Sequence, residues 1–121
     1  MARLPRLALA GQAHWLSQQA HAAGPAFADD ADRRAYLDAL REASRAERVR
    51  LHAFALLAQE VHLLATPDQA PGLGRLMQAV GRRYVSAYHR RHGGSGTLWS
   101  GRFRCALVQP GPTLLDVLCL L

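Results

Sequence analysis

Lysine is missing from this sequence of 121 residues, in which all 15 basic side chains are arginine. Carboxylates are scarce in the second half: residues 1 to 70 hold eight Arg and eight acids, whereas residues 71 to 121 hold seven Arg and one acid, Asp116. No carboxylate lies between Arg75 and Arg104. A region of one charge sign attracts a polyanion, because binding releases condensed counterions. We therefore expect nucleic acid as the partner, and a solvated, arginine-covered helix face is the alternative.

Cysteine and long apolar runs are also nearly absent. Cys105 and Cys119 form no CxxC pair and are too few for a disulfide or zinc framework, so we expect both to be small core residues. No apolar run reaches the roughly 18 residues of a membrane span, and the N-terminal run is shorter than the about 7 to 15 residues of a signal-peptide core. These absences predict a cytoplasmic protein with no membrane partner.

Hydrophobic periodicity divides the chain into alternating strands and helices. The predicted strands are 14–18, 50–57, 60–66 and 103–109, and the predicted helices are 31–47, 72–91 and a C-terminal segment at 113–121. The first six elements follow the ferredoxin-like split βαβ plan, an α+β fold in which an antiparallel sheet carries two helices on one face. We expect residues 1–121 to form one domain. Ala58 and Gln59 must then turn a hairpin, although neither is a favoured turn former.

Five stretches, in chain order, resemble the REP-associated tyrosine transposases, a branch of the single-tyrosine HUH transposases of small bacterial insertion sequences. They are MARLPRLALAGQAHW, FADDADRRAYLDALREA, LHAFALLAQEVHLLATPD, GLGRLMQAVGRRYVSAYHRRHG and SGTLWSGRFR. Together they cover nearly the whole chain, which is more specific than any single motif. The resemblance implies a nuclease and strand transferase that acts on single-stranded DNA with hairpin ends.

In that family, two His separated by one hydrophobic residue bind a divalent metal. A Tyr on a later helix attacks the scissile phosphate and forms a covalent 5′-phosphotyrosine. The matching motif here reads Glu60, Val61, His62. Residues i and i+2 of a strand point to the same face, so the carboxylate and the imidazole can converge on Mg²⁺ or Mn²⁺. A hydrogen-bonded pair of Glu60 and His62 on the sheet face is the alternative.

The resemblance places Leu120 where the family carries its nucleophilic Tyr. Leucine has no nucleophilic atom, so we expect strand cleavage to be impaired and the C-terminal helix to be truncated. An active transposase with another nucleophile, such as Asp116, Cys119, Tyr84 or Tyr88, is the alternative. The helical spacing of Tyr84 and Tyr88 favours packing in the core or a groove.

DNA binding depends less on Glu60 and Leu120 than strand cleavage does. The predicted DNA-contacting residues are Arg82, Arg83, Arg90, Arg91, Trp99, Arg102, Phe103 and Arg104. The arginines contact phosphates, and Trp99 and Phe103 stack on unpaired bases at about 1 to 3 kcal/mol each. For Trp99, a core anchor is the alternative. The resemblance also implies a homodimer. A non-catalytic structural or regulatory module, with residues 113–121 packed against another chain, is a further hypothesis.

Overall fold

The computed structural model describes residues 8–21, 25–94 and 96–108. Its elements are β1 (His14–Gln19), α1 (Asp30–Ala46), β2 (Val49–Leu56), β3 (Glu60–Pro67), α2 (Gly72–His92) and β4 (Arg104–Leu107). Six predicted elements are thus present, each with bounds close to those expected. The predicted C-terminal helix lies outside the described residues, together with Leu120, Asp116 and Cys119. None of the described helices is long and apolar enough to cross a lipid bilayer.

The four strands form one antiparallel sheet in the order β2-β3-β1-β4. β3 lies between β2 and β1, and β1 lies between β3 and β4, so each helix connects two parallel strands that are separated by an antiparallel one. This is the split βαβ arrangement, and the predicted α+β, ferredoxin-like fold class is confirmed.

The alternation of side chains along β3 shows how the sheet divides its two faces. Val61, Leu63 and Ala65 are buried in the main core cluster, on the face covered by the helices. Glu60 and His62 point to the opposite face, where both side chains are only partly buried. We call this second surface the open sheet face. A small apolar cluster around Leu64 covers part of it.

The β2–β3 hairpin turns at Ala58 and Gln59, as predicted. Leu57 and Glu60 exchange backbone hydrogen bonds of 2.9 and 3.4 Å across the turn. The carbonyls of the two turn residues accept bonds from neighbouring segments, Ala58 from the amide of Ala26 at 2.8 Å and Gln59 from the amide of Ala20 at 2.7 Å. Tertiary bonds therefore supply the stabilisation that turn-forming side chains provide in isolated hairpins.

The N-terminus of α1 is tied to the C-terminus of α2. Asp29 caps α1 by accepting the amide of Asp32 at 3.0 Å. The Asp32 carboxylate is fully buried and accepts from the amide of Ala28 and from the side chains of Arg91 and His92. Arg91 also makes a bidentate pair with Asp29, with two bonds of 2.9 Å. This clasp sets where the arginine-rich end of α2 lies.

Candidate functional site

Glu60 and His62 meet on the open sheet face, as the strand period predicts. The Nε2 atom of His62 lies 3.1 Å from Oε1 of Glu60. Ser17 is the cross-strand partner of His62 on β1, and Arg104 of β4 is the partner of Ser17. A row of polar side chains therefore crosses the three strands β3, β1 and β4.

Trp15 decides which nitrogen of His62 carries the proton. Its indole Nε1–H donates to Nδ1 of His62 at 3.0 Å, and the two rings lie 5.6 Å apart between centroids. A neutral imidazole has one donor and one acceptor nitrogen, so Nδ1 accepts and Nε2–H donates to Glu60. This bond from His62 holds the pKa of Glu60 below its usual range, against a smaller opposing effect of burial.

The arrangement does not fit a divalent metal ion. An imidazole ligand needs a lone pair directed at the ion, and its other nitrogen ordinarily donates to an acceptor. Here Nδ1 faces an N–H donor and Nε2 carries the proton. Glu60 is the one other acidic or imidazole group beside it, and in the part of the chain described by the structure no three His, Cys, Asp or Glu residues gather as metal ligands. Of the two interpretations of Glu60 and His62, the geometry favours the hydrogen-bonded pair.

A second candidate site lies on the outer surface of α2. Arg82, Ser86 and Arg90 recur at intervals of four residues, so they form one ridge along the helix. From the helical rise of 1.5 Å per residue, the ridge is about 12 Å long. Among the described residues, no carboxylate forms an ion pair with Arg82, Arg83 or Arg90. Their positive charge is therefore available to an anionic partner.

The Arg82–Ser86–Arg90 ridge separates two grooves of different character. The first, of about 780 Å³, has an apolar floor that includes Met77, Val85 and Trp99, and we call it the Trp99 groove. The second, of about 540 Å³, lies between α1 and α2 and contains Asp38 and Glu42. Asp38 and Glu42 offset part of the charge of Arg82, Arg83 and Arg90 in the second groove, whereas no carboxylate of the described residues lines the Trp99 groove.

Two solved structures share this architecture. A REP-associated tyrosine transposase bound to a REP hairpin aligns with a TM-score of 0.77 at 12% sequence identity, over 97% of this chain and 68% of its own. A candidate transposase of Deinococcus radiodurans R1 aligns with a TM-score of 0.64 at 20% identity, over 99% of this chain and 92% of its own. This chain has the fold of the REP-associated tyrosine transposases. No family model matches the sequence, and no curated protein does.

The transposase fold does not bring all predicted DNA-contacting residues to one groove. Arg82, Arg83 and Arg90 lie on α2, whereas Arg104 belongs to the open sheet face and Arg102 is exposed in the loop before β4. Arg91 differs from the rest because Asp29 and Asp32 already bind its guanidinium, which raises its pKa further. The predicted set therefore divides into two surfaces and one structural ion pair.

The two predicted stacking aromatics are packed against the core. Trp99 is 5% exposed and Phe103 is partly buried against the same core cluster. Of the two interpretations of Trp99, the core anchor is the one that the structure shows, although one edge of the residue still lines the Trp99 groove. Stacking of a base requires an accessible ring face, and at 5% exposure Trp99 offers little of either face.

The tyrosines considered as alternative nucleophiles belong to an aromatic cluster of the transposase fold. Tyr84 is fully buried, and its hydroxyl donates to the carbonyl of Ala26. Burial raises its pKa well above the usual range, which opposes formation of a nucleophilic phenolate. Tyr88 packs on Tyr84 and on the imidazole of His92 at 4.5 Å between centroids. Core packing, predicted from their helical spacing, is confirmed for Tyr84.

Sequence reasoning missed Trp15, whose indole N–H donates to Nδ1 of His62. Trp15 pairs with Leu64, and Ser17 pairs with His62, so the indole reaches His62 along the diagonal of the β1–β3 ladder. Parity within β1 predicts that Trp15 faces away from Leu16, which is buried in the main core. The inter-strand register, which brings the indole to the imidazole, has no signal in the local sequence.

Proposed function

We propose that this protein is a transposase-family DNA-binding protein that holds single-stranded or hairpin DNA on the outer surface of α2, with strand cleavage impaired. The observation that carries the proposal is the Arg82–Ser86–Arg90 ridge beside an apolar groove, on a fold shared with a transposase bound to a REP hairpin. Non-specific and specific DNA binding both begin with phosphate contacts of this kind.

The phosphates contact Arg82 and Arg90 from the side of the Trp99 groove. On the other side of the ridge, Asp38 and Glu42 offset part of the positive charge of the arginines, including Arg83, so the attraction for a polyanion is weaker there. Seven arginines against one acid in residues 71–121 give the same half of the chain a long-range attraction for DNA. Arg102 and Arg104 lie in the loop before β4 and on the open sheet face, so phosphate contacts made by them would belong to a second surface.

The Trp99 groove accommodates an unpaired base. Its volume of about 780 Å³ lies within the roughly 300 to 1,000 Å³ of ordinary ligand pockets. Gly81 opens the groove, since a Cβ at that position meets no other atom within 4 Å. An apolar floor next to free guanidinium groups suits a single strand or a hairpin loop better than a duplex, whose bases are stacked and paired.

The impaired cleavage rests on two features of the sequence and one of the structure. The nucleophilic Tyr of the family corresponds to Leu120, and the first His of its metal-binding pair corresponds to Glu60. His62, the second, has both ring nitrogens engaged by Trp15 and Glu60. On these grounds we infer that the family's attacking Tyr hydroxyl and its metal-ligand geometry are both missing.

Fluorescence anisotropy with a labelled DNA hairpin carrying a single-stranded extension tests the binding surface. The double variant Arg82→Gln/Arg90→Gln should weaken binding and lower the slope of log K against log salt by about 1.4, which is 0.7 per lost single-strand phosphate contact. The matched control is Arg34→Gln/Arg41→Gln, which removes the same charge from the exposed side of α1. Equal salt slopes for the two double variants would refute the assignment of the α2 ridge.

Filling the Trp99 groove tests whether the groove binds an unpaired base. Gly81→Leu should weaken binding of the single-stranded extension and leave the salt slope unchanged, because no charge is altered. Gly74→Leu is its control, since Gly74 lies on the same helix with equally open space around it. Cleavage is checked with the same hairpin and Mn²⁺ on a denaturing gel, where we expect no covalent protein–DNA adduct. An adduct would show that the chain has a working nucleophile.

A further inference from the structure

Trp15, His62 and Glu60 form a linear chain of hydrogen bonds on the open sheet face. The indole N–H donates to Nδ1 of His62 at 3.0 Å, and Nε2 of His62 lies 3.1 Å from Glu60. Side-chain donors and acceptors alternate along this chain without conflict. The indole N–H has no lone pair and can only donate, so the direction of the whole chain is set at Trp15.

We propose that Trp15 locks His62 in the tautomer that cannot bind a metal through Nε2, so that exchanging Glu60 for His is not sufficient to create a metal site. For Nε2 to present a lone pair, the proton must move to Nδ1, where it would face the indole N–H. Two donors would then point at each other in a half-buried position, and the hydrogen bond to Trp15 would be lost. Trp15 is thus a positioning residue for His62.

The packing around Trp15 explains why its indole N–H stays directed at His62. The ring packs against the apolar cluster of Leu64 and Val108 on the open sheet face. Its backbone pairs with β3 on one side and β4 on the other, so the indole is carried by a central strand of the sheet. Because the indole N–H is fixed in this way, the imidazole adopts the tautomer in which Nδ1 accepts its hydrogen bond. Acceptors in that position do the opposite in metalloproteins, where they select the tautomer that binds the ion.

The surroundings of Glu60 support the same conclusion. Its carboxylate receives the Nε2–H of His62 and a further bond from the side chain of Gln19, and both lower its pKa. An ion held between Glu60 and His62 would have to displace the Nε2–H that now lies between the two side chains. Removing Glu60 alone leaves the tautomer of His62 under the control of Trp15.

The proposal is tested with four proteins: the wild-type chain, Trp15→Phe, Glu60→His and the double variant Trp15→Phe/Glu60→His. Phenylalanine keeps an aromatic ring in the apolar cluster and removes the N–H donor together with part of the indole's ring area. Mn²⁺ binding is measured by electron paramagnetic resonance of the free ion, and a fifth protein, the double variant with His62→Gln added, is the control for the site. The test uses no DNA. The inference rests on the proposed loss of cleavage, and the Mn²⁺ measurement tests that part alone. The proposed DNA-binding surface is tested separately by anisotropy.

We expect the double variant to bind Mn²⁺ at least about 10-fold more tightly than Glu60→His, in line with the effect of groups that orient metal-binding histidines. Long-range ¹H–¹⁵N spectra of the imidazoles should show the Nε2–H tautomer of His62 in the wild-type protein and a loss of that preference in Trp15→Phe. Equal Mn²⁺ affinity of Glu60→His and the double variant would overturn the proposal. So would an Nδ1–H tautomer, or His62-dependent Mn²⁺ binding of the wild-type protein as tight as that of the double variant.

Discussion

Two buried tyrosines should respond in opposite ways to loss of the hydroxyl group. Tyr84 and Tyr36 pack edge to face, with ring centroids 5.3 Å apart, and both are at most 1% exposed. The Tyr84 hydroxyl donates to the carbonyl of Ala26, whereas the Tyr36 hydroxyl has no hydrogen-bond partner among the described residues. Both changes to Phe keep the ring, so the two variants compare the loss of a bonded hydroxyl with the loss of an unbonded one.

Tyr84→Phe leaves the buried Ala26 carbonyl without its donor and should lower the free energy of unfolding by about 1 to 3 kcal/mol. Tyr36→Phe removes an unsatisfied polar atom from the core and should leave stability unchanged or raise it by about 1 kcal/mol. For a chain of this size, 1 kcal/mol corresponds to about 4 °C in melting temperature. Urea denaturation followed by circular dichroism measures both variants.

The result also addresses the alternative in which Tyr84 is a nucleophile. If Tyr84→Phe is as stable as the wild-type protein, or if Tyr36→Phe is the more destabilised of the two, the assignment of Tyr84 as a structural residue is refuted. Hairpin binding by Tyr84→Phe should equal that of the wild-type protein at a temperature where both are folded.

Three further perturbations have defined outcomes. Asp32→Asn should destabilise the clasp between the helices by about 2 kcal/mol in urea denaturation, less than a fully buried pair because Arg91 is 40% exposed. Arg48→Gly should raise stability by about 0.5 to 1 kcal/mol, since Arg48 has a φ of 55° that glycine adopts without steric cost. Burial of the His14 imidazole lowers its pKa, so its contribution is complete above the unfolded-state pKa of about 6.5 and is lost as the pH falls below it. Melting temperatures of wild type and His14→Gln between pH 7.5 and about 5 should therefore converge as the pH falls.

Much of the fold can be predicted from local pattern. The periods of 3.6 and 2 residues identify helices and strands, because they report which side of an element is buried. The same parity placed Glu60 and His62 on one face. The ends of α1 and α2 differ from the predicted ends by no more than one residue, since charged caps and glycine mark helix ends locally.

The sequence by itself determined the strand and helix order, the sharing of a face by Glu60 and His62, and the charge of the second half. All of these follow from neighbours in the chain. Only the tertiary structure decided that Trp15 reaches His62, that Asp32 takes Arg91 out of the free basic surface, and that Trp99 belongs to the core. Those contacts depend on strand register and helix docking, which join residues far apart in sequence, and no local pattern encodes such a distance.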